Sequence, residues 1–92
     1  MQKGWVYEPV ISTYELLLFH NTIGRHGDPF YYIPIAIAKR EETGMKYHYL
    51  CIAKQISFPG SSSHFTNIEI YKPPLGEPYV TALHKFCFDQ FT

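Results

Sequence analysis

An excess of charge of either sign is what this chain most plainly lacks. Eight Lys and Arg are matched by eight Asp and Glu, so the formal net charge is zero. That balance argues against a basic surface for nucleic acid and equally against an acidic surface that imitates it. Cysteine is scarce as well: Cys51 and Cys87 are the two. Neither belongs to a CxxC pair or a Cys/His cluster with zinc-ligand spacing, which excludes a disulfide framework and a structural zinc site. Both thiols are expected free and buried in a reducing compartment. No apolar run reaches membrane-spanning length, and Met1-Gln2-Lys3-Gly4-Trp5 holds no signal-type apolar stretch. The expectation is a cytoplasmic protein away from the membrane, in the host cytoplasm if phage-encoded. Gly-rich phosphate loops and a Gly-x-Ser-x-Gly elbow are also missing, so no cofactor is expected.

Aromatic residues, by contrast, are abundant. Eight Tyr, seven Phe and one Trp stand among 92 residues, of which 46% are apolar. Such a composition folds, and its length suits a single domain, residues 1–92, around one modest core. It also leaves more rings than that core can hold, so several should lie at the surface, where they favour partner contact.

The clearest local signal spans residues 31–56. Two apolar segments, Tyr31-Tyr32-Ile33-Pro34-Ile35-Ala36-Ile37-Ala38 and Tyr47-His48-Tyr49-Leu50-Cys51-Ile52-Ala53, flank Glu41-Glu42-Thr43-Gly44. Alternation at a period of two with a Gly-ended linker predicts a β-hairpin, with a three-residue loop of Glu42, Thr43 and Gly44. Glu41 then faces Met45, Ile37 faces Tyr49 and Ile35 faces Cys51. Ile33, Ile35 and Ile37 share a face with Tyr47, Tyr49, Cys51 and Ala53, while Pro34, Ala36 and Ala38 share the other with His48, Leu50 and Ile52. Pro34 cannot donate to a ladder, so it marks a sheet edge or a bulge.

Around the hairpin, residues 4–8 read as a short strand or arm. Ser12 and Glu15 form a capping box ahead of Leu16-Leu17-Leu18-Phe19, predicting a helix over 13–21 with Gly24 just past its end; a buried strand is the rival reading. Gly24 to Pro29 reads as a polar loop. Residues 64–71 alternate, with Thr66, Ile68 and Ile70 on one face. Pro78 opens a stripe of Val80, Leu83, Cys87 and Phe91 at helical spacing, predicting a helix over 78–90. The expected fold is a small α+β domain of order (β)αβββα: an antiparallel sheet of three to four strands, a central hairpin and two helices.

Three chemistries were weighed from these residues. A doubled His-x-Thr, His20-Asn21-Thr22 and His64-Phe65-Thr66, resembles the pattern of the 2H phosphoesterase superfamily. That resemblance implies a compact phosphodiesterase in which His20 and His64 serve as acid and base while Thr22 and Thr66 hold a phosphate. His20, His26 and Asp28 match no metal-ligand spacing, and no metal is expected. The αβββα order resembles the double-stranded RNA-binding domain in topology, but Glu77 stands where that family carries cations, so direct nucleic-acid binding is at most a weak RNA-binding alternative, resting on Lys39, Arg40, Lys46 and Lys54.

The leading expectation is a non-enzymatic interaction protein that binds and blocks a surface of a larger protein or ribonucleoprotein. In size, neutrality and absence of catalytic motifs the chain is similar to the small inhibitors that phages make against host enzymes and defence systems, anti-CRISPR proteins among them. The residues expected to meet the partner are Arg25, His26, Tyr32, Arg40, Glu41, Glu42 and Tyr47. With two apolar sheet faces and little charge repulsion, a homodimer through a strand edge or an exposed face is a further expectation.

Overall fold

The computed structural model describes residues 5–26, 30–55 and 64–86. Six elements follow in order: β1 (Val6–Glu8), α1 (Thr13–His26), β2 (Phe30–Glu41), β3 (Met45–Gln55), β4 (His64–Lys72) and β5 (Tyr79–Phe86). Each strand pairs antiparallel with the next, giving a five-stranded meander with α1 packed across one face. The fold is thus α+β, and the described residues hold five strands and one helix, in place of three to four strands and two helices.

The capping box starts α1 as expected. The Ser12 backbone N–H donates to Glu15 Oε1 at 2.9 Å, and the Glu15 N–H donates to Ser12 Oγ at 3.2 Å. Its end is a correction, for Gly24, Arg25 and His26 belong to the helix and not to a loop. A glycine within a helix costs about 1 kcal/mol relative to alanine. Tertiary anchors offset it here: Ile23 packs on the core, and Arg25 donates to the Pro78 carbonyl at 3.0 Å. Gly27, Asp28 and Pro29 lie outside the described residues.

The hairpin forms with the expected loop, Glu41 opposite Met45 and Ile37 opposite Tyr49. Left-handed backbone is taken by both Thr43 (φ 41°) and Gly44 (φ 117°). Farther along, the register shifts between Pro34 and Ala36, so Cys51 faces Pro34 and not Ile35. The bulge lies where the missing N–H of proline leaves the ladder weak. One extra residue exchanges the faces beyond it. Ile33 moves opposite Ile52 on the helix-free face, and Tyr32 moves opposite Ala53 on the helix side.

A second bulge explains why Tyr79–Phe86, within the expected helix over 78–90, is a strand. Ile70 faces Val80 and Glu69 faces Ala82, leaving Thr81 as the additional residue. Val80 and Leu83, three apart, therefore both reach the core face. A spacing of three that suggests a helical stripe is here a strand with one inserted residue. Residues 87–90, including Cys87, lie outside the described residues.

The core sits between α1 and the sheet. Phe19 meets Tyr49 with ring centroids 4.7 Å apart, and Ile37, Cys51, Ala53, Thr66, Ile68 and Ile70 complete the buried face. The Tyr49 hydroxyl donates to the Glu15 carbonyl at 2.8 Å, joining the first helical turn to the central strand. No helix among the described residues is long and apolar enough to cross a membrane.

Candidate interaction face of the sheet

A single helix covers only one face of a sheet, so the alternation of each strand decides what the other face presents. Ala36, Ala38 and Arg40 of β2 point there, with Lys46, His48, Leu50 and Ile52 of β3 and Phe65, Asn67, Glu69 and Tyr71 of β4. Among the described residues, no helix lies over them. This face is polar toward the hairpin turn and apolar toward the other end.

At its middle is a trough of about 250 Å³, lined by Tyr7, Ala36, Ala38, His48, Leu50 and Asn67 with the backbone at Ile37. Its cause is local. Alternating Ile with Ala places the small side chains together on this face, and Tyr7, paired with Ala38 through β1, stands beside them as a wall. The Asn67 carboxamide is half-buried and makes no side-chain hydrogen bond among the described residues, leaving donors and an acceptor directed to solvent or a ligand.

The polar end is a neutralised cluster. His48 Nε2 lies 2.9 Å from Glu69 Oε2, while Lys46 Nζ at 3.6 Å and the donating Thr81 hydroxyl at 2.8 Å share Glu69 Oε1. Burial pushes the Glu69 carboxyl up, but Thr81, Lys46 and His48 together outweigh it and hold the group below its ordinary value. Trp5 lies over this cluster, stacked on His48 at 4.6 Å with Arg40 at 4.8 Å from its ring. Arg40 also pairs with Glu42.

The expected partner-binding residues divide. Arg40 and Glu42 sit at the rim of this face, and Glu41 is exposed at the turn. Arg25 is exposed on the opposite side, 3.6 Å from Glu77, and His26 ends α1 there. Tyr32 and Tyr47 are corrections: at 2% and 5% exposure they are core residues. Tyr32 is turned inward by the bulge, and Tyr47 lies on the same face as Tyr49. Tyr7, Ala36, Ala38 and Asn67 were missed as site residues. The signal for two of them was present, since a pair of small residues on one apolar face predicts a depression.

The two His-x-Thr motifs do not form one site. His20 is on the exposed side of α1, and the Thr22 hydroxyl donates to the Leu18 carbonyl at 2.7 Å. Thr22 adjoins Val80, which faces Ile70, four residues along β4 from Thr66, or about 13 Å at a strand's rise. The topological resemblance to the double-stranded RNA-binding domain also ends here, because β5 replaces the final helix. No group of His, Cys, Asp and Glu suited to a metal occurs among the described residues. Comparison with protein-family models, curated proteins and solved structures finds no match.

Proposed function

We propose that this is a non-enzymatic interaction protein that occupies a surface of a larger protein through the helix-free face of its sheet. Supporting this reading above all is the trough beside Ala36 and Ala38, which is apolar in its floor and carries on its wall the Asn67 amide, unpaired among the described residues. Such a depression takes one aromatic or branched side chain of a partner, with the amide bonding to adjacent backbone; anchors of this kind carry most of the affinity at protein interfaces. The neutral cluster of Arg40, Lys46, His48, Glu42 and Glu69 forms a polar rim. Blocking a larger protein's surface, as small phage inhibitors do, needs no more chemistry than this.

The test compares capture from a host lysate by the tagged wild type, by Ala36→Leu, which fills the trough, and by Leu17→Ser on the exposed side of α1. One stoichiometric partner should be retained by the wild type and by Leu17→Ser and lost by Ala36→Leu. Retention by Ala36→Leu at wild-type strength, or no stoichiometric partner at all, overturns the proposal. Self-pairing through the same face would instead register in sedimentation as a dimer that Ala36→Leu dissociates, and it too would displace the larger protein as the occupant.

A further inference from the structure

The helix side of the sheet holds buried polar groups that no described residue satisfies. His64 and Thr66 lie two apart on β4, so both point to this side. His64 Nε2 and Thr66 Oγ1 are buried, and among the described residues neither has a hydrogen-bond partner. Thr66 as a residue is fully buried. Buried polar atoms are nearly always satisfied, and an unsatisfied pair on one strand calls for an explanation. Lys85 faces Thr66 in the register and places Nζ 4.3 Å from the centre of the Phe30 ring, which itself stands edge-on to His64 at 5.2 Å. Phe30 belongs to β2 and Lys85 to β5. For the two to meet, they must lean toward each other over β3 and β4, roofing the ground that His64 and Thr66 occupy.

Among the described residues the charge balance at this end is one-sided. Lys85 makes no ion pair among the described residues. Glu8 and Glu15 are bound to Lys39 at the far end of the helix side, and Glu69 is committed on the opposite face. A Thr hydroxyl, a Lys ammonium and the N–H of one imidazole tautomer can all donate. We infer that His64, Thr66 and Lys85 form a binding site for a small oxyanion, a carboxylate or a phosphate group, lying under the Phe30 ring. The anion accepts from the His64 and Thr66 side chains and pairs with the ammonium. The flexible stem of Lys85, exposed at the edge strand, is the part that moves to admit it. A single water could satisfy the two buried atoms but would bring the ammonium no counter-charge, which the described residues do not supply either, so the oxyanion accounts for all three groups. This site is on the other side of the sheet from the trough and does not depend on the function proposed for it.

NMR titration of the intact chain with sodium acetate and, separately, with inorganic phosphate tests the inference, using sodium chloride at matched ionic strength as the control. The His64 ring signals should shift saturably with a millimolar midpoint, while those of His20, His48 and His84 follow the chloride control. Lys85→Met and Thr66→Val should each weaken binding roughly tenfold, as loss of a charge-assisted contact does. Thr66→Ser, which keeps the hydroxyl, should retain it. Saturation by acetate alone identifies a carboxylate site and by phosphate alone a phosphate site. No saturable His64 shift with either anion, or shifts unchanged in Lys85→Met, overturns the inference. Lys85 is exposed, so that variant tests the site without disturbing the core.

Discussion

Lys39 links three elements through one ammonium. Its Nζ lies 2.6 Å from Glu15 Oε2 and 3.1 Å from Glu8 Oε1, so one side chain of β2 holds the first turn of α1 and the edge strand β1. Burial pushes the Glu15 carboxyl up, but Lys39 and Ser12 outweigh it and hold the group below its ordinary 4.5. Hydrogen bonds that Lys39 donates to the Glu15 and Glu8 carboxylates hold the ammonium above its ordinary 10.5. The signs follow. Stability from Glu15 is present above pH 4.5 and lost as pH falls through its lower folded value; that from Lys39 is present below 10.5 and lost as pH rises through its higher one. Urea midpoints should therefore be level at neutral pH and fall on the acid side of 4.5. Lys39→Met should cost about 3 kcal/mol at pH 7, because it strands a buried carboxylate. Cys51 gives a chemical check on the core. Burial pushes its thiol up to about 12, so the peptide bearing it should escape iodoacetamide at neutral pH until the chain unfolds.

Turns and bulges at the element scale are enforced by contacts that a linear reading does not contain. A Cβ on Gly44 would meet the Lys72 carbonyl oxygen at 2.5 Å, and its φ of 117° already excludes most side chains. Gly44→Ala should cost about 2 kcal/mol in equilibrium unfolding. Sequence showed that a glycine closes the hairpin; only the packing of the Lys72 carbonyl and the two following prolines against it shows why substitution is costly. The capping box was fully legible, since its partners are three residues apart, and Ser12→Ala should cost about 1 kcal/mol. The bulges were less so. Pro34 announced one through its missing N–H, but nothing local marks Thr81, whose insertion is fixed by simultaneous pairing of Ile70 with Val80 and Ile68 with Leu83. Deleting Thr81 should leave Val80 and Leu83 two apart and both still on the core face, so equilibrium unfolding should register only about 1 kcal/mol, for the lost Thr81 hydrogen bonds to Glu69.

For the whole molecule, a sheet that carries α1 on one face has unequal faces among the described residues, and stability should reveal the difference. Ile68 is fully buried under α1, whereas Leu50, one strand away on the other face, is half-buried. Ile68→Ala should cost about 4 kcal/mol and Leu50→Ala about 1, measured as chemical denaturation midpoints at constant slope. Near-equal losses would mean that the second face is packed as tightly as the first, and would remove the basis for an interaction surface there.

Interactions between near neighbours were determined by sequence alone. The helix start, the hairpin and its loop, the inward face of residues 66–70 and the trough-forming alternation of Ile with Ala all follow from steric and hydrogen-bonding preferences within a few residues. Tertiary structure decided the rest. It carried α1 through Gly24 because Arg25 found Pro78, and it made 79–86 a strand because β4 had an open edge to be paired. By inserting one residue at each bulge, it also selected which aromatics were buried and which polar groups were left unpartnered. Alternation tells which residues share a face, but it cannot tell which face receives α1, because that depends on burial summed over strands distant in sequence.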